Sequence, residues 1–178
     1  LDADELLAAV HATVVDLTYP APEDADQQAE LEAAAARGIR HLRFPLLGNG
    51  IGRTDHYADA IAAVHRSVVA GDPVLVHCAA GSQRTGGVIA LYRLLVQGAA
   101  PADVFAEMQR YRWDPIDDAE MLVFLNRTMA EIAARLVLRG VLERVPDPLP
   151  VLGPATAGSL ATAAAPPLPR ADLTPGTP

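Results

Sequence analysis

In the stretch Val74-Leu75-Val76-His77-Cys78-Ala79-Ala80-Gly81-Ser82-Gln83-Arg84-Thr85-Gly86, a thiol and a guanidinium are separated by five residues, between an apolar β-type segment and an apolar helical one. A tight loop closing on the following helix brings Cys78 and Arg84 to opposite sides of one bound anion. The side chains from Ala79 to Gln83 are small or uncharged, and Gly81 can take backbone angles denied to other residues. The N–H groups of Ala79, Ala80, Gly81, Ser82, Gln83 and Arg84 can therefore all turn inward as an anion-binding nest. The helix after Thr85 adds the positive end of its dipole to the same place. That field favours the thiolate of Cys78, drawing its pKa from about 8.5 towards roughly 3.5 to 7.5. A thiolate facing a bound phosphate is a nucleophile that needs no base.

A strand, a loop and a helix must hold these groups, and the whole chain bounds what can surround them. With 178 residues, 51% of them hydrophobic, the chain has enough apolar surface for one well-packed domain. The net charge of −8, from 14 Lys and Arg against 22 Asp and Glu, argues against a nucleic-acid partner, which would need a basic face. An anionic substrate must then be held by local geometry. A single cysteine forms no intramolecular disulfide and no Cys-rich metal site, which suits a reducing cytoplasm. No signal peptide and no apolar run long enough to span a bilayer are visible. Nothing in the pattern specifies an oligomeric state.

In chain order, Asp2–His11 reads as a short amphipathic helix, and Thr13–Leu17 as a parallel strand covered on both faces. Asp16 is read as structural, hydrogen-bonding nearby backbone at the strand end. A helix over Glu23–Arg37 closes at Gly38, and a strand follows over Ile39–Pro45, with His41 expected at the surface or an edge because no second His lies at metal-site spacing. Gly48–Arg53 reads as a mobile loop, lacking the Lys-Ser/Thr ending of a nucleotide P-loop. A helix over Tyr57–Ala70 leads by Gly71-Asp72-Pro73 to the central strand. After the loop, a buried helix runs to Gly98 and Pro101 opens another. Asp114 as N-cap and Pro115 as first residue start a long helix, ending near Gly140, whose packed face is Met121, Leu122, Leu125, Met129, Ile132 and Leu136. The domain is expected over residues 1–145, and residues 146–178 as a disordered Pro/Ala-rich tail.

The residues His77, Cys78, Arg84 and Thr85, in their strand–loop–helix context, resemble the His-Cys-x5-Arg-Ser/Thr signature of the cysteine-based protein phosphatases, most closely the dual-specificity branch. The resemblance implies an α/β fold, a central mostly parallel sheet flanked by helices on both faces. Because that fold has further strands at its start and this chain begins at Leu1 without a Met, N-terminal strands are expected to be lacking. It implies a phosphomonoester hydrolase acting through a phosphocysteine intermediate, with no metal and no organic cofactor. Cys78 would attack phosphorus, Arg84 would grip the equatorial oxygens in two-point fashion, and the Thr85 hydroxyl would stabilise the departing thiolate. His77 would support the loop's shape. In the family, an aspartate shortly after a strand ending in Pro protonates the leaving oxygen. Here Pro45 is followed by Leu46, Leu47 and Gly48, so Asp55 is the nearest carboxylate for that role, in competition with N-capping by Thr54 or Asp55 of the next helix. The missing acid keeps open a pseudophosphatase acting as a phosphate-binding module. A rhodanese-like sulfurtransferase also places a cysteine after a parallel strand, but does not need Arg84-Thr85-Gly86. A loop without basic side chains favours a phosphorylated protein or small phosphoester over a polyphosphorylated lipid headgroup.

Overall fold

The computed structural model describes residues 12–154, so the helix read over Asp2–His11 and the chain beyond 154 lie outside the described residues. The elements run β1 (Thr13–Asp16), α1 (Ala25–Ala36), β2 (Arg40–Arg43), α2 (Thr54–Ala70), β3 (Val74–His77), α3 (Gln83–Leu91), a π-helical turn (Tyr92–Val96), α4 (Pro101–Arg110) and α5 (Ala119–Leu138). The three strands form one parallel sheet in the order β2-β1-β3. Thr13 lies level with Arg40 and Val74, and Asp16 with Arg43 and His77, so the three carboxyl ends share one edge. Ligands gather at that edge in open parallel sheets. The expected α/β class with a parallel sheet between helices holds.

Local sequence explains most of the elements. Asp24 caps α1 by accepting from the N–H groups of Asp26 and Gln27 at 2.9 and 3.1 Å. Helix α2 packs on β1 and β3, α3 on β3, and α1 on β2. The longest helix, α5, lies along α2, burying Tyr57, Ile61 and Val64 against Leu125, Met129, Ile132 and Leu136. No helix among the described residues is long and apolar enough to cross a membrane.

Four expectations fail, each for a local reason. Helix α2 starts at Thr54, and neither Thr54 nor Asp55 caps it; the N-cap position is Arg53, without a side-chain cap bond. The Thr54 hydroxyl is committed to Glu131 on α5 at 2.7 Å, and the Asp55 carboxylate to Arg53 at 3.0 and 2.5 Å. Helix α5 starts at Ala119 instead of Pro115, because the Asp114 carboxylate folds residues 115–118 into a turn, accepting from Ile116 N–H at 2.7 Å and Asp117 N–H at 3.3 Å. The glycine-rich segment read as mobile is pinned. Leu47 N–H donates to Ile51 at 2.8 Å, Asn49 Nδ2 to Glu120 at 2.7 Å and the Tyr57 hydroxyl to Gly50 O at 2.5 Å. Gly50 has φ 83°, and a Cβ there would lie 2.3 Å from Met121 Sδ, so this turn accepts glycine alone.

The fourth concerns residues 146–154, assigned by composition to the tail. They dock on α5: Asn126 donates to Leu152 O at 2.9 Å and accepts from Leu152 N–H at 2.8 Å, as a neighbouring strand would, and Leu152 is 1% exposed. Proline-rich composition hid one anchoring leucine and its amide clamp. Leu152→Ala is expected to lower unfolding stability by about 2 to 5 kcal/mol, the usual range for emptying a buried leucine site. Urea denaturation of the two proteins measures it; a change below a few tenths of a kcal/mol would show that the segment contributes nothing to the core.

Candidate active site

Strand β3 ends at His77 and α3 begins at Gln83, so residues 78–82 make the whole turn between them. Gly81 has φ 75° with nothing within 4 Å of a built Cβ; the backbone angle, and not crowding, demands glycine there. The half-buried Cys78 Sγ accepts from Gly81 N–H at 3.2 Å and from the Thr85 hydroxyl at 3.2 Å. Burial alone would push the thiol pKa up. The Thr85 hydroxyl and the N–H groups of Thr85, Gly81 and Ala80 outweigh it, so the pKa lies below that of an ordinary thiol. Thr85→Ala is expected to move the midpoint of Cys78 alkylation by iodoacetamide to higher pH, because the thiolate loses a donor while the thiol loses little. An unchanged midpoint would assign the effect to the backbone alone.

Arg84, on the first turn of α3, is half-buried. Among the described residues it forms no ion pair, and its buried Nε has no hydrogen-bond partner. A guanidinium left unpaired in this way carries a desolvation cost that an oxyanion in the turn removes. Ala79, Ala80 and Gly81 are exposed, whereas Ser82 is buried with its hydroxyl donating to Gln83 Oε1 at 2.6 Å. The Gln83 side chain also reaches across to α5. Its Nε2 donates to Asp118 Oδ1 and Oδ2 at 3.1 and 3.2 Å, bringing a carboxylate from the start of α5 to the loop. A cleft of about 270 Å³ begins at Gly81 and Thr85 and runs between α3 and α4 past Ile89 and Met108, with the Arg93–Glu107 ion pair (3.2 Å) in its wall.

Not every residue singled out from sequence meets at this loop. Asp55 sits in the first turn of α2, its carboxylate held by Arg53 and its carbonyl facing Arg139 at 3.5 Å. Arg53 keeps the Asp55 carboxyl far below the usual carboxylate range, and none of its hydrogen-bond partners belongs to the loop. His77 turns its ring away from the loop, placing Nε2 2.8 Å from Glu30 Oε1 on α1. His41 is not at the surface: its side chain is 9% exposed, because α1 lies over β2, and its Nε2 is 3.7 Å from Glu30 and 3.8 Å from Asp16. Asp16 is fully buried and structural, accepting from Thr18 N–H and hydroxyl at 2.8 and 2.7 Å and from Arg43 Nε at 2.5 Å. Burial would raise its pKa, but these Thr18 and Arg43 contacts hold it below the usual range.

Sequence reading missed Asp118 and Glu30. The 35-residue separation of Asp118 from Gln83 carries no local signal. Glu30 faces the sheet from a helix whose composition says only that it is helical.

No curated protein matches the chain. Among solved structures, a mutant form of Tk-PTP superposes with a TM-score of 0.53 at 23% identity, covering 76% of this chain and 84% of the other. The core catalytic domain of the PP-IP phosphatase SIW14 from S. cerevisiae, in complex with citrate, gives a TM-score of 0.50 at 23% identity over 69% and 73% of the two chains. At that identity they establish the fold alone. Residues 4–99, which include β1 to β3, the Cys78–Arg84 turn and α3, match the family model Tc-R-P, and the chain belongs to this family of DSP-PTPase phosphatases of polymorphic toxin systems.

Proposed function

We propose that the chain is a phosphomonoester hydrolase working through a phosphocysteine intermediate on Cys78. The observation that carries this reading is the pairing, in one turn, of a thiol with lowered pKa and a half-buried arginine whose buried Nε has no partner and whose guanidinium no carboxylate among the described residues neutralises. The Cys78 thiolate attacks phosphorus, and the bond to the ester oxygen breaks. Arg84 and the N–H groups of residues 79–84 hold the three equatorial oxygens. Asp118, and not Asp55, gives its proton to the departing oxygen, since Asp118 reaches the loop through Gln83 while Asp55 is held by Arg53. Water then attacks the phosphocysteine as Asp118 takes back a proton, releasing phosphate and the thiolate, to which the Thr85 hydroxyl donates. His77 supports the turn from the end of β3. Each step uses groups the chain itself carries. A loop with no basic side chain besides Arg84 fits phosphoprotein or small phosphoester substrates.

The test is a substrate panel on the purified chain: p-nitrophenyl phosphate, phosphopeptides, phosphoinositides and nucleotides, with thiosulfate and cyanide as a sulfur-transfer control. Vanadate-sensitive phosphate release is expected, with no thiocyanate. In the same assay Arg84→Lys should lose about 10²- to 10³-fold in kcat/KM, because an ammonium cannot reproduce the planar two-point grip. Phosphate binding without hydrolysis would instead identify a phosphate-binding module, and thiocyanate production a sulfurtransferase.

A further inference from the structure

We propose that Glu30, His41, His77 and Asp16 form a zinc-type metal site on the face of the sheet covered by α1, just below the catalytic turn. One donor atom from each lies within 4.8 Å of all the others. His77 Nε2 is 2.8 Å from Glu30 Oε1, and His41 Nε2 is 3.7 Å from Glu30 Oε1 and 3.8 Å from Asp16 Oδ2. A tetrahedral zinc with bonds of about 2.0 to 2.1 Å separates neighbouring donors by about 3.3 to 3.4 Å, the middle of that range. Two imidazoles and two carboxylates form a donor set that zinc accepts.

The independent observation is the state of the histidine nitrogens. Nε2 of His77 is paired with Glu30, but Nε2 of His41 is buried and makes no hydrogen bond, and the His41 side chain is nine-tenths buried and aimed at the two carboxylates. At 3.7 and 3.8 Å the His41 contacts exceed hydrogen-bonding distance, so an N–H there is left unsatisfied, as a lone pair would be. A cation between the four donors satisfies the His41 nitrogen and joins it to the Glu30–His77 pair. Asp16 Oδ2 also accepts from Arg43 Nε at 2.5 Å, which makes it the weakest donor of the set and fixes its direction. Glu30 and His77 keep 30% and 28% of their side chains exposed, so an ion reaches the site from solvent on their side. Bound there, it ties β1, β2, β3 and α1 together and fixes His77, the neighbour of Cys78.

The site does not depend on the chemistry of Cys78, and its test removes that thiol so that it cannot ligate zinc. The full chain carrying Cys78→Ser, stripped with chelator, is titrated calorimetrically with zinc chloride, and its melting temperature is read with and without the metal. One zinc per chain and a higher melting temperature are expected, with affinity reduced at least tenfold by adding His41→Gln or Glu30→Gln. The His41→Gln chain is first shown to melt cooperatively without zinc, and Glu30→Gln serves if it does not. Absence of saturable binding, or equal affinity in both variants, would overturn the proposal and leave the four residues as an ion-pair network.

Discussion

Cys78→Ser is expected to reduce phosphate-ester hydrolysis by on the order of 10⁴- to 10⁶-fold, the usual consequence of removing a nucleophile that acts as one unit with its neighbours. An alcohol at this position has no thiolate to present, since the donors that stabilise sulfur's charge, the Thr85 hydroxyl and the Gly81 N–H, fall far short of ionising a serine at neutral pH. Those donors, with Arg84, remain in place, so vanadate or inorganic phosphate should bind the variant with affinity within a few-fold of the parent. The split between lost turnover and kept binding is the informative part. Loss of both would mean the substitution collapsed the turn, and a small loss of turnover would end the phosphocysteine mechanism. Mass spectrometry of the acid-quenched parent protein offers a second readout, because the proposed intermediate would add one phosphoryl group to the peptide that contains Cys78.

The turn that pairs Cys78 with Arg84 was legible because its chemistry is local. Cys78, Gly81, Arg84 and Thr85 lie within one strand–turn–helix unit, so spacing alone brings them together, while the Thr85 hydroxyl that donates to the sulfur beside the Gly81 N–H was singled out by the resemblance and not by the spacing. The parallel sheet was legible for a related reason, since β1 and β3 are short apolar runs separated by helices. What stayed hidden depends on pairings between distant segments. His41 looked isolated because its companion histidine sits on another strand, brought near by the register of β2 and β3 on either side of β1. Residues 146–154 looked like tail because a single Asn126 clamp supplies the backbone partners their composition could not announce. Asp55 drew attention through its position after the glycine-rich segment, yet Arg53, two residues away, holds it first.

The proposed proton donor follows the same logic and gives the second large effect. Asp118→Asn is expected to slow cleavage of alkyl and peptide phosphoesters by about 10²- to 10⁴-fold, the range of general-acid assistance. Aryl esters with acidic leaving groups should lose much less, because an oxygen that departs readily as an anion needs little proton transfer. Asparagine keeps the size of the side chain and one oxygen to accept from Gln83 Nε2, so the anchor that brings this residue to the turn persists while the transferable proton does not. The steepness of rate against leaving-group pKa is therefore the readout, since a merely structural role would lower all substrates together. Asp55→Asn, by contrast, should leave that slope unchanged, its loss confined to the exposed Arg53 contact. A flat response in Asp118→Asn together with a steepened one in Asp55→Asn would return the proton to Asp55 and require α2 to release it from Arg53 during turnover.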